Sequence, residues 1–376
     1  MRNKKSKHIC LSCGAADWHE NREFSALPRV ASDSTPFVAG GRICVCLQCG
    51  LIQKVTDACW KSEIDGIYRD YKMYELTGGA DQVLFGEGGV TRAEKIADIL
   101  AQHIPESFSG NAIDIGCGTG GFLRAFGGKC PNAALYGQEI DDKNLHYLEK
   151  IANFKALFTT EAPSRGRCFD VIVSIHCFEH IYNYANYFNE INGIRTDSTR
   201  ILLQVPDIGT SLFDIVIADH AAHFSQASLQ DCLDRYLPGF AVSKPIHKEL
   251  TAIFPAQRAG TPPAADAEKL TQALDARVNY LTRLLAHIDG QHLDEFGVYG
   301  TTIAGAWLTA AYADKIAFYV DDDVLKHGKT FQGKKVISAE QVPANGRVVM
   351  PFGAAAIQSI LRRHPHLTPQ DVFYNP

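Results

Sequence analysis

Four cysteines carry the first chemistry in this chain. Cys10 and Cys13 precede Gly14, and Cys46 and Cys49 precede Gly50, so a Cys-x2-Cys-Gly unit occurs twice near the start. Each unit reads as a tight turn that aims two sulfurs at one point, with the glycine closing the turn at positive φ. Together they supply the four thiolates of a closed tetrahedral zinc site, which holds structure and leaves no open position for a substrate. Cys44 would point elsewhere, while His8 and His19 are substitutes near the shell. The alternative is disulfides or ordinary thiols. The 11 cysteines are odd in number, Cys117, Cys168 and Cys177 fall in apolar strand or loop contexts, and no stretch reads as a secretory leader. Metal is the better reading.

A second signature follows at residues 113–121. Asp114 stands two positions before Gly116, and Gly118, Gly120 and Gly121 complete a glycine-rich loop. Gly116, Gly118 and Gly121 alone satisfy Gly-x-Gly-x-x-Gly, a weak pattern shared with dinucleotide binders. Asp114 and the run Gly116-Cys117-Gly118-Thr119-Gly120 favour S-adenosylmethionine, which has no phosphate and needs close backbone approach to its methionine and ribose parts. Glu139 ends the next strand, about 20 residues on, where an acceptor for the ribose hydroxyls is required. Ser174 and His176 end a later strand, and the segment running on to Glu179 and His180 would flank the same crevice. The alternatives are a nicotinamide site or a turn with no ligand.

The elements that must position these groups are legible in outline. Residues 8 to about 60 read as short strands and turns around the metal, and residues 67–79, aromatic and polar without clean periodicity, as a loop laid over something. Residues 90–104 have helical spacing through Ile96, Ile99, Leu100 and Ile104, ended by Pro105. Strand and helix patterns then alternate: 111–115, 121–126, 134–140, 143–152, 169–175 and 200–205. That alternation predicts a doubly wound parallel sheet. Residues 265–288 form a long amphipathic helix, and a second, smaller Rossmann-like series occupies 294–376. The expected division is therefore a zinc-binding module at 1–66, a cofactor-binding core at 67–210, and a C-terminal domain at 211–376.

Composition sets the class. Hydrophobic residues make up 46% of 376 residues, ample for more than one core, and the net charge is −5. The only basic cluster is the start of the chain, so a nucleic-acid substrate is disfavoured. No apolar run reaches membrane-spanning length, and a cytoplasmic location is expected.

In order and motif the chain resembles the class I methyltransferases, and more specifically the sugar C-methyltransferases of deoxysugar pathways. These join a zinc-binding domain, a methyltransferase core and a Rossmann-like C-terminal domain. The paired cysteine units, the glycine loop, and Val298-Tyr299-Gly300, Tyr319-Val320-Asp321-Asp322 and residues 326–330 carry the likeness. The resemblance implies that Asp219-His220 stands for the family's Glu-His, and His223-Phe224-Ser225 for its Tyr-Phe-Ser. It also implies a role for Tyr74 in holding the cofactor or a developing oxyanion. Methylating carbon requires removal of a proton beside a ketone, a task suited to a histidine oriented by a carboxylate. His220 is thus the expected base, with Asp219 as its adjacent carboxylate. A surface loop, or a metal site using His223, is the other reading of this segment. The family's lysine is missing from the turn at 300–305, which leaves backbone amides, Thr301 and Thr302 to bind phosphate. The implied substrate is a nucleotide-activated sugar, methylated on carbon or on a hydroxyl. An RNA methyltransferase with a zinc finger and a non-catalytic cofactor-binding scaffold are the competing functions.

Overall fold

The computed structural model describes residues 8–71, 90–160, 166–256 and 264–367. Its centre is a seven-stranded sheet. From one edge to the other the strands are Ala241–Ser243, Glu249–Phe254, Arg195–Pro206, Phe169–Ile175, Asn111–Ile115, Ala134–Gln138 and Phe154–Phe158. All neighbours run parallel except Glu249–Phe254, which is antiparallel to both of its partners. Val171, Ile172 and Val173 are buried on successive positions, the pattern of a strand covered on both faces. Helices Arg92–Ala101 and Gly121–Lys129 cover one face through Ile96, Leu100, Leu123 and Phe126. Helices Tyr184–Ile194 and Gln226–Tyr236 cover the other through Phe188, Ile191, Leu229 and Leu233. The doubly wound α/β reading holds, and the sheet draws its last two strands from beyond residue 210.

The strand order reverses between Asn111–Ile115 and Phe169–Ile175, so the carboxyl ends of these two strands open the crevice where such sheets bind ligands.

The cysteine units belong to a separate four-stranded antiparallel sheet: Trp18–Asn21, Ile43–Cys46, Ile52–Lys54 and Ala222–His223. Its fourth strand comes from the segment carrying the expected base. Ala222 pairs with Gln53 and His223 with Ile52. Next comes helix Ala58–Arg69, where the sequence suggested a loop from residue 67 onward. Asp57 caps it by accepting from the Trp60 amide, and Trp60, Ile64 and Ile67 form its buried stripe.

The C-terminal part is a five-stranded sheet, ordered Thr330–Phe331, Lys334–Ile337, Ile316–Val320, Phe296–Tyr299 and Val348–Val349. Helix Ala267–Gly290 lies between this part and the cysteine module. Leu274, Val278, Leu281 and Leu284 share one apolar cluster with Phe24 and Val45 on one side and Phe296 and Trp307 on the other. His19 and Asn21 both bond Asp275 of that helix, at 3.0 and 2.7 Å.

Candidate active site

The glycine loop is built around positive φ. Gly116 lies at φ +79°, and a Cβ there would meet the Cys177 side chain at 3.0 Å. Gly120 lies at φ +80°, and a Cβ there would meet Ile151 and Leu148 at 2.5 and 2.6 Å. Substitution at either position would fill or distort the cradle. Glu139 reaches back from its strand end, its Oε1 accepting from the Gly118 amide at 2.6 Å. Asp114 is buried with Oδ1 lacking any hydrogen-bond partner, and burial, then the nearby Glu139, pushes its carboxyl up to about 8. An orphaned acceptor beside open glycine backbone fits a ligand that brings a donor, such as the ammonium or ribose hydroxyls of S-adenosylmethionine. Asp114, Gly116, Gly118, Gly120 and Glu139 are therefore gathered into one crevice.

Ser174 and His176 fare differently. Ser174 is wholly buried on its strand. His176 sits at φ +50°, unusual for a non-glycine residue, and its ring is committed to two carboxylates. Nδ1 lies 3.1 Å from Glu179 Oε1, and Nε2 approaches Glu249 Oε2 within 2.9 Å, a charge contact without hydrogen-bond alignment. Arg92 holds Glu249 at 2.9 Å. Burial opposes the imidazolium, but Glu249, aided by Glu179, outweighs it and pushes His176 up to about 9.

The histidine pair His220 and His223 is buried. His220 Nδ1 lies 2.8 Å from Asp214 Oδ1, and His223 Nδ1 lies 2.6 Å from Asp214 Oδ2. The carboxylate that orients His220 is thus Asp214, on the turn Asp214–Val216, and not its neighbour Asp219. Asp219, in the turn before His220, instead accepts from the Ser32 amide at 2.8 Å and its hydroxyl at 2.6 Å. It also pairs with His180 Nδ1 at 3.3 Å. Burial works against the Asp214 charge, but the two imidazoles prevail and hold its carboxyl well below the usual carboxylate range.

His180 joins the set as well. It ends the turn Phe178–His180 that follows the strand Phe169–Ile175, and its ring meets that of His220 edge-on at 4.7 Å between centroids. Tyr68 donates or accepts at His180 Nδ1, 3.0 Å away. One ligating atom each from Glu179, His180 and His220 lies within 4.8 Å of the others. The sequence held a signal: the acid-histidine pair Asp219-His220 is preceded by an earlier one, Glu179-His180. Asp214 had none beyond its proximity in an apolar run. Tyr74 lies outside the described residues.

The four cysteine sulfurs cluster, with Cys10 and Cys49 3.5 Å apart and Cys13 and Cys46 3.5 Å apart. A tetrahedron of thiolates at ~2.3 Å from zinc has edges of about 3.8 Å, so these pairs fit such a site after a slight spreading of the sulfurs. Hydrogen bonds from Cys10 and Cys49 hold the Cys46 thiol well below its ordinary value. In the C-terminal loop the Thr301 amide and hydroxyl both donate to Asp321, which Lys326 also meets at 3.1 Å. Of the donors expected to bind phosphate, the amide and hydroxyl of Thr301 are met by this carboxylate. Among the described residues no helix is long and apolar enough to cross a membrane.

Residues 91–242 match a family model described as a methyltransferase domain. No curated protein matches the sequence. Among solved structures, coclaurine N-methyltransferase bound to N-methylheliamine and SAH is 15% identical, with TM-score 0.36, over 49% of this chain and 64% of that one. The mitomycin 7-O-methyltransferase MmcR is 15% identical, with TM-score 0.36, over 51% and 57%. The plantazolicin methyltransferase BpumL, in complex with a monoazolic desmethylPZN analog and SAH, is 17% identical, with TM-score 0.38, over 60% and 90%. The chain thus spans less than two thirds of the first two of these proteins. The glycine loop lies within residues 91–242, the segment that matches the methyltransferase-domain model.

Proposed function

We propose that this protein methylates a nucleotide-activated keto-sugar at the carbon beside its ketone, with zinc held by Cys10, Cys13, Cys46 and Cys49 as a structural ion. The observation that carries the reading is the buried Asp214–His220 dyad, linked to the glycine loop through the turn Phe178–His180 and Cys177, which lies against Gly116. A carboxylate on Nδ1 keeps that nitrogen protonated and leaves the Nε2 lone pair as the proton acceptor. Asp114, the loop glycines and Glu139 would hold S-adenosylmethionine, which supplies the electrophilic methyl group when bound.

His220 Nε2 removes the proton next to the substrate ketone, and the resulting imidazolium is balanced by Asp214. His180, edge-on to His220, lies at the same site as a donor toward the developing enolate oxygen. The substrate carbon then takes the methyl group, and His220 returns its proton to solvent. The buried position of His220 limits the access of water during the proton transfer. The nucleotide end of the substrate is read from the likeness in domain order, and the acidic overall charge favours a small molecule over RNA.

The test incubates zinc-replete protein with a nucleoside-diphosphate 4-keto-deoxysugar in heavy water, without and then with S-adenosylmethionine. Deuterium exchange at the carbon beside the ketone, followed by gain of one methyl on that carbon by NMR, supports the proposal. Methyl gain on oxygen reassigns the acceptor. No exchange and no methyl gain across a panel of keto-sugars overturns it.

A further inference from the structure

The histidine network does not stop at Asp214. Lys54 is fully buried, and its ammonium donates to the Ile215 carbonyl and lies 3.1 Å from His223 Nε2. We propose that Lys54 and His223 are positioning residues for His220: the cysteine module, through Lys54, sets the proton arrangement that leaves His220 Nε2 free to act as base. This rests on the reading of His220 as the base.

Donor and acceptor chemistry fixes the chain link by link. As an ammonium, Lys54 offers only N–H groups toward His223, which then presents the Nε2 lone pair. His223 Nδ1, 2.6 Å from Asp214 Oδ2, must then carry the hydrogen, because a lone pair there would face a carboxylate oxygen. Both conditions demand the same tautomer, and the Asp214 contact demands it in either protonation state of Lys54. Asp214, held at Oδ2 by His223, presents Oδ1 to His220 Nδ1 in a single orientation. Burial pushes Lys54 down to about 7, and either of its protonation states keeps N–H groups for both partners. Burial, then the Lys54 charge, pulls His223 down to about 4, in line with a neutral ring.

The backbone makes this a joint between two parts of the molecule. Lys54 ends the strand Ile52–Lys54, five residues after Cys49, and that strand pairs with Ala222–His223. The Lys54 amide donates to the Ala221 carbonyl at 2.9 Å. The cysteine module thus grips the base-bearing segment by main chain and by side chain at once.

The experiment uses the zinc-replete full chain. Three variants, Lys54→Met, His223→Leu and His223→Gln, are compared for kcat, KM, S-adenosylhomocysteine affinity and 15N NMR of the histidine rings. Lys54→Met and His223→Leu should lower kcat about 10–100-fold, with KM and S-adenosylhomocysteine affinity unchanged. His223→Gln, whose carboxamide accepts from Lys54 and donates to Asp214, should recover most of that loss. His220 should be the pure Nδ1–H tautomer in the wild type and a tautomer mixture in His223→Leu. Equal losses in the Gln and Leu variants, or an unchanged His220 tautomer in His223→Leu, overturn the proposal. The ring spectra need no turnover, so they decide this point even where the keto-sugar reading fails. Should Lys54→Met not fold, the Gln and Leu pair carries the test.

Discussion

At the scale of single residues, the proposed chemistry rests on groups that would be costly to bury alone and are therefore buried in chains. Asp214 sits between two imidazoles, and its removal would strand both. His220→Ala should lower kcat by about 10²–10⁴-fold while leaving S-adenosylhomocysteine affinity intact, as steady-state kinetics and calorimetry will report. Asp214→Asn should cost on the order of 10²-fold in kcat, because an amide no longer compels Nδ1 to carry the proton. Asp219→Asn acts elsewhere: it loosens His180 and Ser32, and should cost less than Asp214→Asn in the same assay.

His176 makes a pH prediction with a definite sign. Its folded-state value is raised from 6.5 to about 9, so the stabilisation it draws from Glu249 and Glu179 is complete below 6.5 and is lost as pH rises through 9. Thermal melts of wild type and His176→Gln across that window should converge as pH rises. A gap that widens toward alkaline pH would contradict the assignment.

At the scale of elements, the four-stranded sheet matters most. Because Ala222–His223 is its outer strand, the cysteine module and the base-bearing segment fold as one structure. Cys10→Ser with Cys49→Ser, or zinc withdrawal by a chelator, should lose metal, unfold the module and abolish methyl transfer together. Circular dichroism, metal analysis and activity on one sample check this. A metal-free protein that keeps its activity would detach the module from the chemistry. The same sheet explains a limit of the sequence. A strand of two residues has no periodicity to read, and its pairing with Gln53 and Ile52 spans most of the core in between. Helix Ala58–Arg69 was missed for a related reason: its apolar stripe, Trp60, Ile64 and Ile67, ends where the polar aromatic stretch begins.

At the scale of the whole molecule, one apolar cluster ties the N-terminal module, helix Ala267–Gly290 and the C-terminal sheet together. Leu281 lies fully buried at its centre. Leu281→Ala should cost about 2–5 kcal/mol and lower the melting of both flanking parts in a single transition. Separate transitions, with only one shifted, would show the cluster to be energetically divided.

The sequence by itself determined the cofactor loop, the cysteine cluster and the alternating core, because each is written in residues close along the chain. Glycines that need positive φ, thiols two residues apart and strands buried on both faces all declare themselves locally. Tertiary structure alone decided the partners. Asp214 rather than Asp219 orients His220, His180 joins it from a turn of the core sheet, and Lys54 arrives from the cysteine module. The physical reason is that a buried charge takes the partner that geometry brings within hydrogen-bond reach, whether or not that partner is its neighbour in sequence.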